Sequence, residues 1–325
     1  MTRRDALVAA AGLLVVPGAL AQGASRVVRI AILDDAKAST RAALWARFRT
    51  RLAELGYAEG RNATVEAHFA DGDPARLRAL ATAVAAAKPD VVVTVTTGAG
   101  LAMKQATSTV PVVVIGPADP VRSGLVASLA RPGGNITGLS PNQAEIADKW
   151  LELLRVLLPG ARTFAYLTDP ANPGEMLVFE DLERRAKSLG LEGRVLGGVE
   201  SAQVDRALAE MTSRRPDALI VATTASLVPH RQRIVEGVAR LRIPAIYARQ
   251  EYAEAGGLVS YGADSRMLWV RAAEYVDRIV RGTRPADMPF EMASTFRLVL
   301  NATTAHSLGL AIPASVRARV DKLVE

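Results

Sequence analysis

The sequence predicts an α/β protein made of two doubly wound lobes, each with a parallel sheet. Three observations carry this. Strand-like and helix-like segments alternate strictly from Val27 to Tyr247, the pattern that places helices on both faces of a parallel sheet. Strand-like segments such as 90–96 are continuous runs of β-branched residues, as expected of strands covered on both sides. The theme also repeats. Lys88-Pro89-Asp90 and Arg215-Pro216-Asp217 each open a buried strand, and each strand runs into a Thr-rich loop, Thr96-Thr97-Gly98 and Thr223-Thr224.

In the first half, a strand over 27–33 ends at Asp34-Asp35, and an amphipathic helix over 44–55 is stopped by Gly56. A strand over 64–70 follows. Asp73 then caps a helix running to Ala87, with Pro74 at its first position, where the missing N–H costs nothing. Strands over 90–96 and 110–115 complete this unit. The second half begins after Asn135-Ile136-Thr137-Gly138 with a helix over 143–158, ended by Pro159-Gly160. Strands over 163–168, 191–196, 218–222 and 245–247 then alternate with helices over 175–189, 202–213 and 229–241.

The first 21 residues read as a cleavable signal peptide. Arg3 and Arg4 give a basic start, the stretch 6–16 is apolar, Pro17-Gly18 break any helix, and Ala19-Leu20-Ala21 is an A-x-A cleavage pattern. The apolar run is too short to span a bilayer. Export follows the Sec route or, from Thr2-Arg3-Arg4 with Leu7, the twin-arginine route. There is no cysteine, which excludes a thiol nucleophile, a Cys-based metal site and a lipid-modified cysteine at the cleavage point. The net charge of +7 is scattered over helices without interleaved aromatics, so a solvated basic surface is expected and no nucleic-acid face.

Ligands of open α/β sheets bind beyond the carboxyl ends of the strands. Two lobes facing each other present those ends to a shared cleft, which makes Asp34 with Asp35, Thr97, Gly98, Ala99, Asp119, Asp169, Asn172, Thr223 and Tyr247 with Glu251 the candidate ligand-binding residues. Helix N-termini after these loops would turn N–H groups toward an anion. A ligand carboxylate is expected near Thr97-Gly98-Ala99, and a ligand amine near Asp119 or Asp169. Catalytic and cofactor signatures are weak. Gly98-Ala99-Gly100 lacks the third glycine of a dinucleotide fingerprint, since Met103 stands there. His68, His230 and His306 lack metal-ligand spacing, and no G-x-S-x-G elbow occurs. No enzyme activity, metal or cofactor is expected.

The segment Ala118-Asp119-Pro120-Val121 with Ser123 through Gly138 resembles the ABC transporter substrate-binding proteins of the tryptophan/phenylalanine type, which have the type I periplasmic-binding fold. The resemblance continues at 256–262, 271–279 and Leu298-Val299-Leu300-Asn301, and covers essentially the whole chain after the signal peptide. It implies a monomeric periplasmic protein with two lobes joined by a hinge of three crossovers, near 135–140, 257–262 and 285–296. The lobes would comprise 27–138 with about 259–290, and 139–258 with about 291–325. They would close over a small amino-acid-like or carboxylate ligand and deliver it to an ABC permease in the inner membrane. The alternative is a periplasmic sensing module that reports its ligand to a membrane receptor.

Overall fold

The two Pro-Asp motifs perform the same task in each half. Asp90 Oδ2 accepts the Arg29 N–H (2.8 Å), and Asp217 Oδ2 accepts those of Arg162 and Thr163 (2.9 Å each). Each aspartate thereby fastens the start of the neighbouring strand. This computed structural model describes residues 26–325; the expected signal peptide lies outside the described residues.

The first unit runs β1 (Val28–Asp34), α1 (Ala42–Glu54), β2 (Ala63–Phe69), α2 (Pro74–Ala86), β3 (Val91–Val95), α3 (Thr96–Ala106), β4 (Val112–Ile115) and β5 (Ile136–Ser140). The second runs α4 (Gln143–Leu157), β6 (Thr163–Thr168), α5 (Pro173–Ser188), β7 (Glu192–Gly197), α6 (Ser201–Ser213), β8 (Ala218–Val221), α7 (Arg231–Leu241), β9 (Ala245–Tyr247), α8 (Gln250–Glu254) and β10 (Val259–Ala263). The chain returns to the first unit with α9 (Ser265–Val280) and β11 (Glu291–Met292). It ends in the second with β12 (Phe296–Asn301), α10 (Ala302–Ser307), α11 (Ala314–Arg317) and β13 (Lys322–Val324).

The sheet orders are β11-β5-β4-β3-β1-β2 and β13-β12-β10-β9-β8-β6-β7. All pairings are parallel except β10 with β12, so the second sheet departs from the all-parallel expectation at one step. Apolar side chains cover both faces of each sheet. In the first lobe, Trp45, Phe48, Trp269 and Val276 lie on one face, and Met103, Leu125 and Phe290 on the other. Burying each such side chain contributes roughly 1.5–3 kcal/mol.

Three boundaries move from their expected places. β10 pairs with β9 and β12, so 259–263 belongs to the second lobe and the crossing follows Ala263. β11 pairs with β5, so the last crossing falls after Met292, and β5 itself carries the first lobe to Ser140. The Thr-rich stretch after β3 is also no loop, because β3 passes directly into α3 at Thr96. The three crossings lie side by side. The Ala293 N–H donates to Ser140 O (2.8 Å), and the Asp264 N–H to Thr295 O (3.3 Å). The strand leaving each lobe carries a glycine pressed on its neighbour: a Cβ at Gly138 would stand 2.0 Å from Val114 O, and one at Gly262 2.1 Å from Ala248 O.

Candidate functional site

The strands β1, β3, β4, β6, β8, β9 and β10 all end at a cavity of about 400 Å³ between the lobes. Its wall mixes apolar and polar residues and carries both signs of charge. Asp35, Asp169, Glu175, Glu251 and Asp264 line it together with Arg41, Arg47, Arg249, Arg266 and Arg297. Among the described residues of the wall, Trp269 is the aromatic one.

Of the candidates, Asp35, Thr97, Asp169, Asn172, Thr223 and Glu251 lie on this wall. Thr97 is buried, and its Oγ1 accepts the Ala118 N–H (3.1 Å), so its hydroxyl holds the loop after β4. Asn172 caps α5 through Oδ1, which accepts the Gly174 N–H (3.0 Å). Asp169 accepts the Ala171 N–H (2.9 Å). Burial pushes the Asp169 carboxyl above its usual range, opposed by that N–H and reinforced by the charge of Asp35.

The other candidates are not wall residues. Asp34 is wholly buried behind the cavity, where it pairs with Arg41 and accepts the Trp45 Nε1–H (2.7 Å) and the Ala36 N–H (2.9 Å). Successive residues of a strand point to opposite sides, and Asp35 is the one that reaches the cavity. Burial raises the Asp34 carboxyl and the adjacent Arg41 charge pulls it back. Arg41 also holds Asp35 (2.8 Å), whose Oδ2 accepts the Thr96 hydroxyl (2.9 Å). Thr96 has φ +73°, a left-handed conformation rare for a β-branched residue, and it makes the turn from β3 into α3.

Gly98 faces Pro173 and Ala99 is buried within its lobe. Neither is among the wall residues, although their neighbour Thr97 is. Asp119 caps its own turn, accepting the Val121 and Arg122 N–H groups (3.1 and 3.0 Å). Tyr247 stacks on Tyr252 inside the second lobe, centroids 5.0 Å apart; burial raises both hydroxyls.

Sequence reasoning missed Gln143, Glu175, Arg249, Arg266 and Trp269. Gln143, Arg266 and Trp269 follow the crossings, whose positions the alternation of strands and helices does not reveal. Arg249 follows β9. Glu175 stands in the first turn of α5, where an acidic residue reads as a complement to the helix dipole.

Contacts across the cleft hold the lobes together. Gly174 of α5 packs on Thr97 of α3, and Arg122 reaches Glu180 (2.9 Å) and Asp181 (2.7 Å) on α5. At the hinge, Asp264 takes both Arg266 Nε (2.8 Å) and Nη2 (2.7 Å), which holds its carboxyl below the usual range.

Doubly wound lobes, adjacent crossings and a charge-lined cavity between opposed strand ends define a bilobed solute-binding protein. The chain belongs to the ABC transporter substrate binding protein family, which it matches over residues 29–324, a family of solute-binding proteins. It is 27% identical over 289 residues to a tyrosine-binding protein of Clostridioides difficile, spanning 89% of this chain and 80% of that one. Its fold matches that of a conserved domain protein from Vibrio cholerae with a TM-score of 0.82 and 26% identity, covering 92% of this chain and 100% of that one. An ABC domain from Streptococcus pneumoniae in complex with L-Trp matches with a TM-score of 0.80 and 24% identity at the same coverage.

Proposed function

We propose that this protein captures an amino-acid-like zwitterion outside the cytoplasm and presents it, lobes closed, to an ABC permease. The observation that carries the reading is the cavity of about 400 Å³, with carboxylates and guanidinium groups on one wall drawn from both lobes. That size suits a single small solute, and the mixed charge suits a ligand with an ammonium and a carboxylate. The ligands named for the relatives from Clostridioides difficile and Streptococcus pneumoniae, tyrosine and L-Trp, support the amino-acid class.

The basic start and apolar run of the first 21 residues support export to the periplasm. No helix among the described residues is long and apolar enough to cross a membrane, in keeping with a carrier that moves between solute and permease. The protein acts as a monomer and without catalysis; binding is coupled to hinge closure.

Thermal melts with the twenty protein L-amino acids, combined with small-angle scattering, test the reading. A binding amino acid raises the melting temperature and reduces the radius of gyration. If none of the twenty does either, the amino-acid reading fails.

A further inference from the structure

Two carboxylates of the cavity wall, Asp169 and Glu175, face no cation among the described residues, whereas Asp35 has Arg41, Glu251 has Arg249 and Asp264 has Arg266. Asp169 is partly open to solvent and serves the Ala171 N–H. Glu175 is only 6% exposed.

Every hydrogen bond around Glu175 points at its carboxylate. Tyr166 OH donates to Oε2 (2.7 Å), and Thr223 Oγ1 donates to Oε1 (2.9 Å). Because the Thr223 proton is committed to Glu175, its oxygen can only accept, and it does so from Gln143 Nε2 (2.9 Å). This fixes the amide orientation and leaves Gln143 Oε1 with no partner, although the residue is only 5% exposed and lines the same cavity. Buried polar atoms in native proteins are rarely left unpaired, and a buried carboxylate with neutral partners alone retains a large part of its desolvation cost. An acceptor oxygen with nothing to accept and an anion without a counter-charge thus stand in one hydrogen-bonded chain. Their common complement is a cation with several N–H donors.

Building on the reading above, we propose that Glu175, with Gln143 Oε1 beside it, is the seat for the primary ammonium of the ligand. The seat joins three parts of the second lobe: Gln143 opens α4 directly after the first crossing, Glu175 lies in the first turn of α5, and Thr223 follows β8. A cation seated there acts on the helix that begins at the hinge and on the helix whose N-terminus meets the opposite lobe through Gly174.

The test is calorimetric titration of the full protein. The probes are the L-amino acid that binds best in the panel above and its deaminated counterpart, with the same carbon skeleton and hydrogen in place of the amine. Wild type is expected to lose at least about 10-fold in affinity for the deaminated probe. Glu175→Gln is expected to lose roughly 10- to 100-fold for the amino acid, the range of a buried charge-assisted bond, and little further for the deaminated probe. Asp169→Asn is expected to lose less than Glu175→Gln. Equal binding of both probes to wild type overturns the seat while leaving amino-acid binding intact, and needs no variant. Unchanged affinity in Glu175→Gln, or a larger loss in Asp169→Asn, overturns it as well. If no amino acid binds wild type, the reading under Proposed function falls and the seat with it.

Discussion

Gly174 and Thr97 meet across the cleft so closely that a Cβ on the glycine would stand 2.3 Å from Thr97 Oγ1 and 2.9 Å from Thr97 Cβ. Thr97 cannot retreat, because it is 1% exposed and its hydroxyl holds the Ala118 N–H. The contact joins α5 of one lobe to α3 of the other and exists only when the lobes are together. Gly174→Ala should therefore act as a wedge. Without ligand the variant should melt no lower than wild type, since alanine is the better helix former and the open protein has no clash. Ligand affinity should fall about tenfold or more, and scattering should record a smaller compaction on ligand addition. Unchanged affinity would show that the lobes close without this contact.

Arg122 makes the second tie, reaching Glu180 and Asp181 at the cleft rim. The arginine is 37% exposed and Glu180 more so, so screening limits the pair to about 0–1 kcal/mol. Arg122→Ala should weaken ligand binding by no more than about fivefold at low ionic strength. The difference should vanish near about 1 M salt, where the screening length is about 3 Å. Titrations of both proteins at several salt concentrations check this; a salt-independent loss would mean that Arg122 acts through packing.

Much of this arrangement is legible in the chain because its causes are local. The valine runs of β3 and β4 are buried on both faces, and the Pro-Asp motifs mark equivalent strands in the two lobes. What escapes depends on tertiary context. Thr96-Thr97-Gly98 has the composition of a loop, yet packing forces Thr96 to φ +73° and starts a helix there. β11 is two residues long, below what periodicity can register, so the third crossing could be placed only within the broad span 285–296. Alternation along β1 requires one of Asp34 and Asp35 to face inward. Only the approach of Arg41 and Trp45 from α1 decides which one, and it selects Asp34 for the core. The importance of Glu175 rests on Tyr166, Thr223 and Gln143 arriving from β6, the end of β8 and α4.

Asp34 is a residue whose loss should cost the fold heavily for a small change in size. It is 0% exposed, and its carboxylate is shared by Arg41, Trp45 Nε1 and the Ala36 N–H. Removing it leaves a buried guanidinium held by Asp35 alone, a loss of about 3–5 kcal/mol in comparable buried pairs. Asp34→Ala should shift the urea midpoint accordingly, with an unchanged slope. Arg41 is also what steadies Asp35 against Thr96, so ligand affinity should fall in the same variant. A stability change below about 1 kcal/mol would mean that Arg41 finds water or another acceptor, contrary to its burial.

Glu175→Gln should behave in the opposite way, stabilising the empty protein while weakening the loaded one. Burial pushes the Glu175 carboxyl above its ordinary value, and the hydroxyls of Tyr166, Thr223, Thr168 and Thr224 only partly counter it. The folded pKa thus exceeds the unfolded one. Between the two, the native state holds a proton that the unfolded chain has released, so the associated stability is complete below the unfolded value of about 4.3 and is lost as pH rises through the folded value. Glutamine removes this dependence, and both neighbouring hydroxyls can rotate to suit its amide. Melting temperatures of ligand-free wild type and variant should therefore nearly coincide at acid pH and diverge as pH rises, with the variant higher. Asp169, also raised by burial, is present in both proteins and cancels in the difference. With saturating amino acid at neutral pH the order should reverse, because the ammonium supplies the charge that Glu175 lacks. Parallel curves in the absence of ligand would mean that the carboxylate is already compensated in the empty protein.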